Sequence, residues 1–495
     1  MSISAENIRL IFGLKLKELR SEKKMSLARL SKLTGISKSY INEIENGKKY
    51  PKPEKIARFA EAFGVSYEYL VSLKLNKRLS PISDLIRSNV LTELPLDFFG
   101  VEPIDLLNLL SAAPIEFTAF VDALIQVGTG YNIRVESLYF SVLRSYQEMH
   151  DNYFHEIELA AKATRKKQFA NNDKNNLAGN IRTVLETNFK YDIDDDGIKD
   201  AEDMQSVRYI FIEGKKPKLL LNVNLNDQQK LFILARELGI STMNLNPRNF
   251  TSSWIDTQSF SHVLNNFKAY YFAGAIIMDE RIFTKELIDF SKKPTISPSD
   301  VLSLMNKSQC SAEPFMLRIT NLVPRYFRNT QLFFTRYNEV VKEKSFKMTK
   351  ILHGSGLKIS AVPSLDIRAC QRWATLNAFK ILSAAQYDQP QCVICKVKFE
   401  ENPDNYLVIS IAQNMLPTKN MNSCTSVGFL INKRLIDKAS FINDPSIPQH
   451  IVTRQWFIDQ NMMVEDGVNK TTLLAQDHST NQIKEGVRKI VESKS

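Results

Sequence analysis

Along this chain apolar residues first recur at the three- and four-residue spacing of helices, and strand-like runs gather towards the end. Residues 7–22 predict an amphipathic helix with Ile11, Leu14, Leu16 and Leu19 turned inward. Between Met25 and Pro51 the pattern predicts a short helix, a tight turn and a second helix. Ser26 caps the first, with Leu30 and Leu33 as its apolar face. Thr34-Gly35-Ile36 is the turn, where Gly35 takes a positive φ without a Cβ clash. Ser37 caps the second helix, Ile41 and Ile44 share one of its faces, and Asn46-Gly47 ends it. Pro53 suits the first turn of a fourth helix, Gly64 ends that helix, and residues 67–73 make a short fifth. A linker with Lys74, Lys77, Arg78, Ser80 and Pro81 follows.

Residues 82–168 read as mostly helical, broken at Pro114 and closing on a long helix from Val135. After a polar loop at 169–180 come a helix, an acidic loop, a strand, a turn at 214–217 and a second strand. The next helix, Asn226–Leu245, buries Leu231, Leu234, Ala235 and Leu238. Residues 281–360 alternate helices and turns and include the strand-like TQLFFTRYN. Strands then follow in QCVICKVKFE, NYLVISIAQN and SCTSVGFLIN, and from Ser479 the chain reads as a polar helix or tail. The fold class expected is mainly α with a smaller α+β part.

Length and charge narrow the picture. A chain of 495 residues has room for two to four domains. Its net charge is +11, and residues 1–78 hold 17 Lys and Arg against 8 Asp and Glu, so most of the excess lies in the first sixth. That placement suits a module that neutralises phosphates. No apolar run reaches the ~18–20 residues of a membrane helix, and the polar start MSISAENIRL has no secretory pattern. The expected location is cytoplasmic, with no membrane partner. The five cysteines are an odd number in a large chain, which argues against a disulfide framework. Cys392 and Cys395 have CxxC spacing, but in a strand residues three apart face opposite sides, so buried thiols are the simpler reading than a metal or redox pair.

A helix, a Gly turn and a capped second helix form the pattern that sets a helix in the DNA major groove. Leu16, Leu19, Arg20, Leu30, Gly35–Ser37, Tyr40, Ile41, Ile44, Glu45, Gly47, Pro51, Pro53, Ile56, Ala57, Ala60 and Phe63–Val65 resemble the five-helix Cro/C1-type (XRE) DNA-binding domain over residues 7–71. The resemblance implies a DNA-binding domain at 7–73. Leu27 stands where that family commonly has a phosphate-contacting Gln. Lys38, Ser39, Tyr40 and Asn42 are the candidates for base edges or flanking phosphates, joined by Ser37 and Glu43. Lys48, Lys49 and Lys52 are expected near the backbone. The resemblance also implies a homodimer on double-stranded DNA, with residues 82–168 as a helical linker or dimerisation region.

Two further patterns bear on chemistry. Asp192, Asp194, Asp196, Gly197 and Asp203 fall at positions 1, 3, 5, 6 and 12 of a calcium loop, but Asp replaces the bidentate Glu at the last, and a strand follows. A solvated acidic turn is the competing reading to Ca²⁺ binding. The helix LFILARELG resembles the HExxH helix of the ImmA/IrrE metalloprotease family. Arg236 and Ile240 stand at the two His positions, Glu237 remains, and Lys268, before Ala269-Tyr270-Tyr271-Phe272-Ala273, stands at the carboxylate-ligand position. Cations there repel Zn²⁺, so the sequence predicts a degenerate domain at 178–345 with no metal, no cofactor and no catalysis, its cations pairing with Glu237.

YQEMHDNYFHEIE, LFILARELG, FKAYYFAGAIIM and Ala369-Cys370-Gln371-Arg372-Trp373 together resemble long regulators of short-chain acyl-CoA metabolism. That implies a C-terminal α+β sensor at 346–475 and a small-molecule effector, an acyl-CoA in the relatives. The family's further cysteines after Asp444-Pro445 are absent from VTRQWFIDQNMM. Arg372 and Trp373 are candidates to hold an anion and a ring, against the plainer reading of a core Trp beside a surface Arg. Two readings stand: a metabolite-sensing DNA-binding regulator, or a pseudoenzyme module that binds a protein partner in phage or toxin-type regulation.

Overall fold

The computed structural model describes residues 5–72, 135–169, 176–198, 207–251, 259–340, 345–353, 374–385, 389–399, 404–415, 417 and 421–452. The chain divides into two compact units, Met1–Tyr139 and Phe140–Ser495. The expected linker at 74–81, residues 82–134, Asp203, Cys370, Arg372, Trp373 and the segment from 453 onward lie outside the described residues.

The first unit contains helices α1 (Ala5–Glu22), α2 (Leu27–Thr34), α3 (Lys38–Glu45), α4 (Pro53–Phe63) and α5 (Tyr67–Val71). The ends follow the local chemistry. Ser26 accepts from the Arg29 N–H at 3.2 Å and Ser37 from the Tyr40 N–H at 3.3 Å. Gly35 closes α2 at φ 69°, and Gly64 closes α4 at φ 63°. Phe12, Leu16, Leu30, Ile41, Ile44, Ile56, Phe59 and Phe63 form one core. Leu33 is not part of it. It is 57% exposed, whereas Thr34 turns inward and its hydroxyl donates to the Leu30 carbonyl at 2.8 Å. The inward pair on this helix is therefore i, i+4 rather than i, i+3. The last turn of the domain is tied to the first helix by Lys15. Its ammonium donates to the Tyr69 carbonyl at 2.8 Å and to the Ser72 hydroxyl at 2.9 Å, and burial lowers its pKa to about 8.

The second unit mixes helices and two sheets. Helices α6 (Val135–Met149, in this unit from Phe140), α7 (His155–Gln168) and α8 (Leu177–Asn188) precede a three-stranded sheet. Its order is β1 (Asp192–Asp194), β3 (Lys218–Leu221), β2 (Tyr209–Ile212), with β1 parallel and β2 antiparallel to β3. The acidic loop thus begins as a strand, which its charge had hidden. Helix α9 (Asp227–Thr242), with an Asn226/Gln229 capping box, packs along α10 (Phe260–Ile277). Gly239 permits that approach, because a Cβ there would meet Phe272 Cδ1 at 2.7 Å.

Helices α11 (Glu280–Ser291), α12 (Pro298–Lys307) and α13 (Ala312–Phe327) lead into a six-stranded sheet. Its strands are β4 (Leu332–Val340), β5 (Ser345–His353), β6 (Gln391–Phe399), β7 (Asn405–Asn414), β8 (Met421–Leu430) and β9 (Gln449–Val452), in the order β5-β4-β8-β7-β6-β9. All neighbours are antiparallel except β6 and β9. Side chains alternate between two apolar layers. Phe334, Ile394, Leu407, Ile409, Val427 and Phe429 join Phe315, Met316 and Leu322 of α13. Phe333, Val397, Tyr406 and Val408 face the other way, towards Ala374 of α14 (Ala374–Ala384). Cys392 belongs to the first layer and Cys395 to the second, so the CxxC thiols face opposite sides. Burial pushes both thiols up to about 12.

The domain limits expected from sequence differ from this layout. A junction at 345/346 cuts the β4–β5 hairpin, whose first strand also pairs with β8. A region 82–168 straddles the division at 139/140. Hydrogen-bonded pairing across nearly a hundred residues carries no local signal at such a junction.

Candidate nucleic-acid interface

Three devices hold α3 in place. Ile41 and Ile44 are fully buried. Glu45, 3% exposed, takes two hydrogen bonds from Arg20 of α1, at 2.6 and 2.9 Å, and Arg20 also donates to the Met25 carbonyl at 2.9 Å. Gly13 of α1 faces the end of α3, where a Cβ would strike the Ile44 carbonyl and meet the Glu45 carbonyl at 2.9 Å. The helix is thus fixed along one side and at its C-terminal end.

Its other side is open. Ser37, Lys38, Ser39 and Asn42 are exposed, as are Lys48, Lys49 and Lys52 just beyond. Donors and acceptors at 38, 39 and 42 are thus exposed together on one helix. Tyr40 and Glu43 are half-buried and differently employed. The Tyr40 ring packs on the core and carries two cations, Lys55 at 3.8 Å and Lys49 at 5.6 Å. Glu43 pairs with Lys49 at 2.9 Å. Tyr40 therefore gathers lysines and Glu43 sets the position of one. Lys55, in the first turn of α4, did not stand out from the sequence because nothing local links it to Tyr40. Leu27 packs against the core.

In the second unit, Glu237 of α9 is fully buried between two guanidinium groups. Arg248 donates to one oxygen at 2.5 Å and Arg236 to the other at 3.3 Å, and the Tyr191 hydroxyl lies 3.3 Å away. Arg236 also donates to Asn266 Oδ1 at 2.7 Å and to the Tyr209 hydroxyl. Burial and the Glu237 charge both raise the Tyr191 pKa, against the opposing effect of Arg248. Ile240 is buried. Lys268 is half-buried and is not among the partners of Glu237. The second cation is Arg248, beyond the end of α9. Among the described residues no cluster of three or more His, Cys, Asp or Glu could hold a metal ion. That includes Asp192, Asp194 and Asp196 of the acidic loop. There Asp192 pairs with Lys216 at 3.6 Å, and Asp194 accepts from the Asp196 N–H at 3.0 Å. Asp195, outside the calcium pattern, takes Arg182 at 2.6 Å. No described helix is long and apolar enough to cross a membrane.

Comparison with known proteins bears on the first unit. A family described as a helix-turn-helix domain matches residues 13–75. Over 61 residues the chain is 43% identical to the HTH-type transcriptional repressor RghR of Bacillus subtilis (strain 168), covering 12% of this chain and 45% of that protein. An uncharacterized HTH-type transcriptional regulator of the same organism, RghRB, is 42% identical over 62 residues, again 12% and 45%. The chain thus spans about half the length of the curated relatives it matches. A solved Mycobacterium tuberculosis transcriptional regulator is 17% identical, with a TM-score of 0.46, over 64% of this chain and 88% of that one. The Ser-capped α2 and α3, the exposed Lys38, Ser39 and Asn42, the helix-turn-helix family match and the two Bacillus subtilis matches make residues 13–75 a helix-turn-helix domain of the kind carried by DNA-binding transcription regulators.

Proposed function

We propose that the protein is a sequence-specific, homodimeric transcription regulator whose second unit is non-catalytic and senses a small metabolite, an acyl-CoA being the class suggested by the resemblance in sequence. The observation that carries the DNA-binding part is the fixed α3 with Lys38, Ser39 and Asn42 exposed together. Two half-sites double the contact set, which is what a dimer supplies. The non-catalytic part rests on Glu237, whose two oxygens are occupied by Arg236 and Arg248. Three donors, Arg236, Arg248 and Tyr191, hold a carboxylate with about four lone-pair sites, so it is engaged as an ion-pair partner rather than poised as a base for a metal-bound water.

Selection of genomic fragments by the purified full-length protein near physiological salt tests the reading. Enrichment of one pseudo-palindromic site is expected. Salt-labile binding without a preferred sequence would leave phosphate neutralisation only and favour the protein-partner alternative. About one equivalent of zinc retained after purification without chelator would sink the metal-free assignment.

A further inference from the structure

A cavity of about 290 Å³ lies within the second unit, between α6, α10, α13 and β5. Its body is aromatic and apolar, with Phe140, Phe232, Phe267, Tyr270 and Phe334 among its walls. Among the described residues three cations line it, Arg144, Arg318 and Lys350, and no carboxylate does. Arg318 is neutralised by Glu158, which it grips through both terminal nitrogens. Lys350 reaches Glu313, but that carboxylate is shared with Arg336. Cations therefore outnumber carboxylates around Glu313, where Lys350, Arg336 and Arg208 act on one acid. Arg144 brings a partly buried guanidinium to the cavity wall, its pKa lowered by burial with Glu148 opposing.

The charge pattern decides between two uses of an aromatic cavity. Aromatic walls alone also suit a quaternary ammonium, which three lining cations would repel. The size sets a second limit. A cavity near the lower end of the ligand-site range encloses a compact ligand or the acyl end of a longer one, not a whole nucleotide-bearing thioester. Gly274 of α10 lines the cavity, and the nearest atom to a Cβ built there is Arg318 Cδ at 4.0 Å. The backbone at that point borders open space rather than packed side chains.

We propose that this cavity binds a compact carboxylate with an apolar body, Arg144 and Lys350 supplying the counter-charge and the aromatic walls taking the tail. The assignment rests on the sensor reading above and narrows it from a thioester to a free acid.

Octanoate titrated calorimetrically into the full-length protein is the test, with octan-1-ol as the same tail without charge. Saturable octanoate uptake is expected, weakened about tenfold in Arg144→Gln, the loss of one charged hydrogen bond. Octan-1-ol affinity should be the same in both proteins. Gly274→Leu, which fills the space, should abolish uptake, and Gly274→Ala should retain it. Absence of saturable octanoate uptake overturns the proposal, as does undiminished affinity in Arg144→Gln, a readout that holds even where Gly274→Leu fails to fold. Octanoate bound as expected but without effect on operator affinity supports the cavity and counts against the sensor. Failure to select any operator sinks the regulator and leaves the cavity standing.

Discussion

The two units use charge in opposite ways. In the first, among the described residues, the core takes in Lys15, held by the Tyr69 carbonyl and Ser72, and the Arg20–Glu45 clamp, while Lys38, Lys48, Lys49 and Lys52 of α3 and its flanks are exposed. In the second, Glu158, Glu237 and Glu313 are all buried, each gripped by arginine. A buried pair roughly balances its own desolvation, yet either partner left without the other is costly. The first unit therefore leaves most of the charge of α3 and its flanks exposed, and the second spends its buried charges on positioning its own elements.

The contrast can be broken by experiment. The largest effect is expected from Arg318→Met, which leaves Glu158 buried without its cation. Urea unfolding should show a loss of about 3–5 kcal/mol, partly recovered by adding Glu158→Gln. Next comes acid. Burial favours the protonated form of Glu313, but Arg336 and Lys350 outweigh it and hold the carboxyl at about 2. A folded pKa below the unfolded value means stability that is fully present above about pH 4.5 and lost as pH falls towards 2. The urea midpoint of the second unit should drop across that window, and Glu313→Gln should flatten the dependence.

Gly13→Ala is the third. In an open helix this change stabilises by about 1 kcal/mol. Here the new methyl meets the backbone of α3, so a loss of about 1–3 kcal/mol is expected in thermal unfolding of the full chain. Asn42→Ala should cost about 1–3 kcal/mol in operator binding while sparing random DNA. Equal losses on both would remove it from the reading surface. The smallest effect is Lys48→Ala, which should weaken all sequences alike and reduce the salt slope by about one.

The same contrast explains what the sequence made legible. The first unit is written in local signals: a capping Ser three residues before the N–H it serves, a Gly at each left-handed helix end, apolar residues one turn apart. Arg20 and Glu45 pair across 25 residues, but each already sits at a position that the family pattern marks. The second unit depends on phase and long-range return. Lys268 is the residue expected on Glu237, but α10 turns Asn266 to that site instead, onto Arg236, because two residues along a helix turn a side chain roughly 200° to the opposite face. Arg248 reaches Glu237 from a segment beyond α9 that no periodicity describes. The cavity went unseen for the same reason. Its walls come from α6, α9, α10, α13, β4 and β5, and only the fold assembles them.

The placement of the cysteines has a practical corollary. Cys310, Cys392, Cys395 and Cys424 are all reduced and buried, and Cys392 and Cys395 sit in separate apolar layers divided by the six-stranded sheet. These four thiols are shut away from an alkylating reagent while the sheet is intact, and become reactive when it opens. Pulse alkylation followed by mass mapping thus gives the second unit a built-in clock for unfolding, with one hand on each side of the same wall.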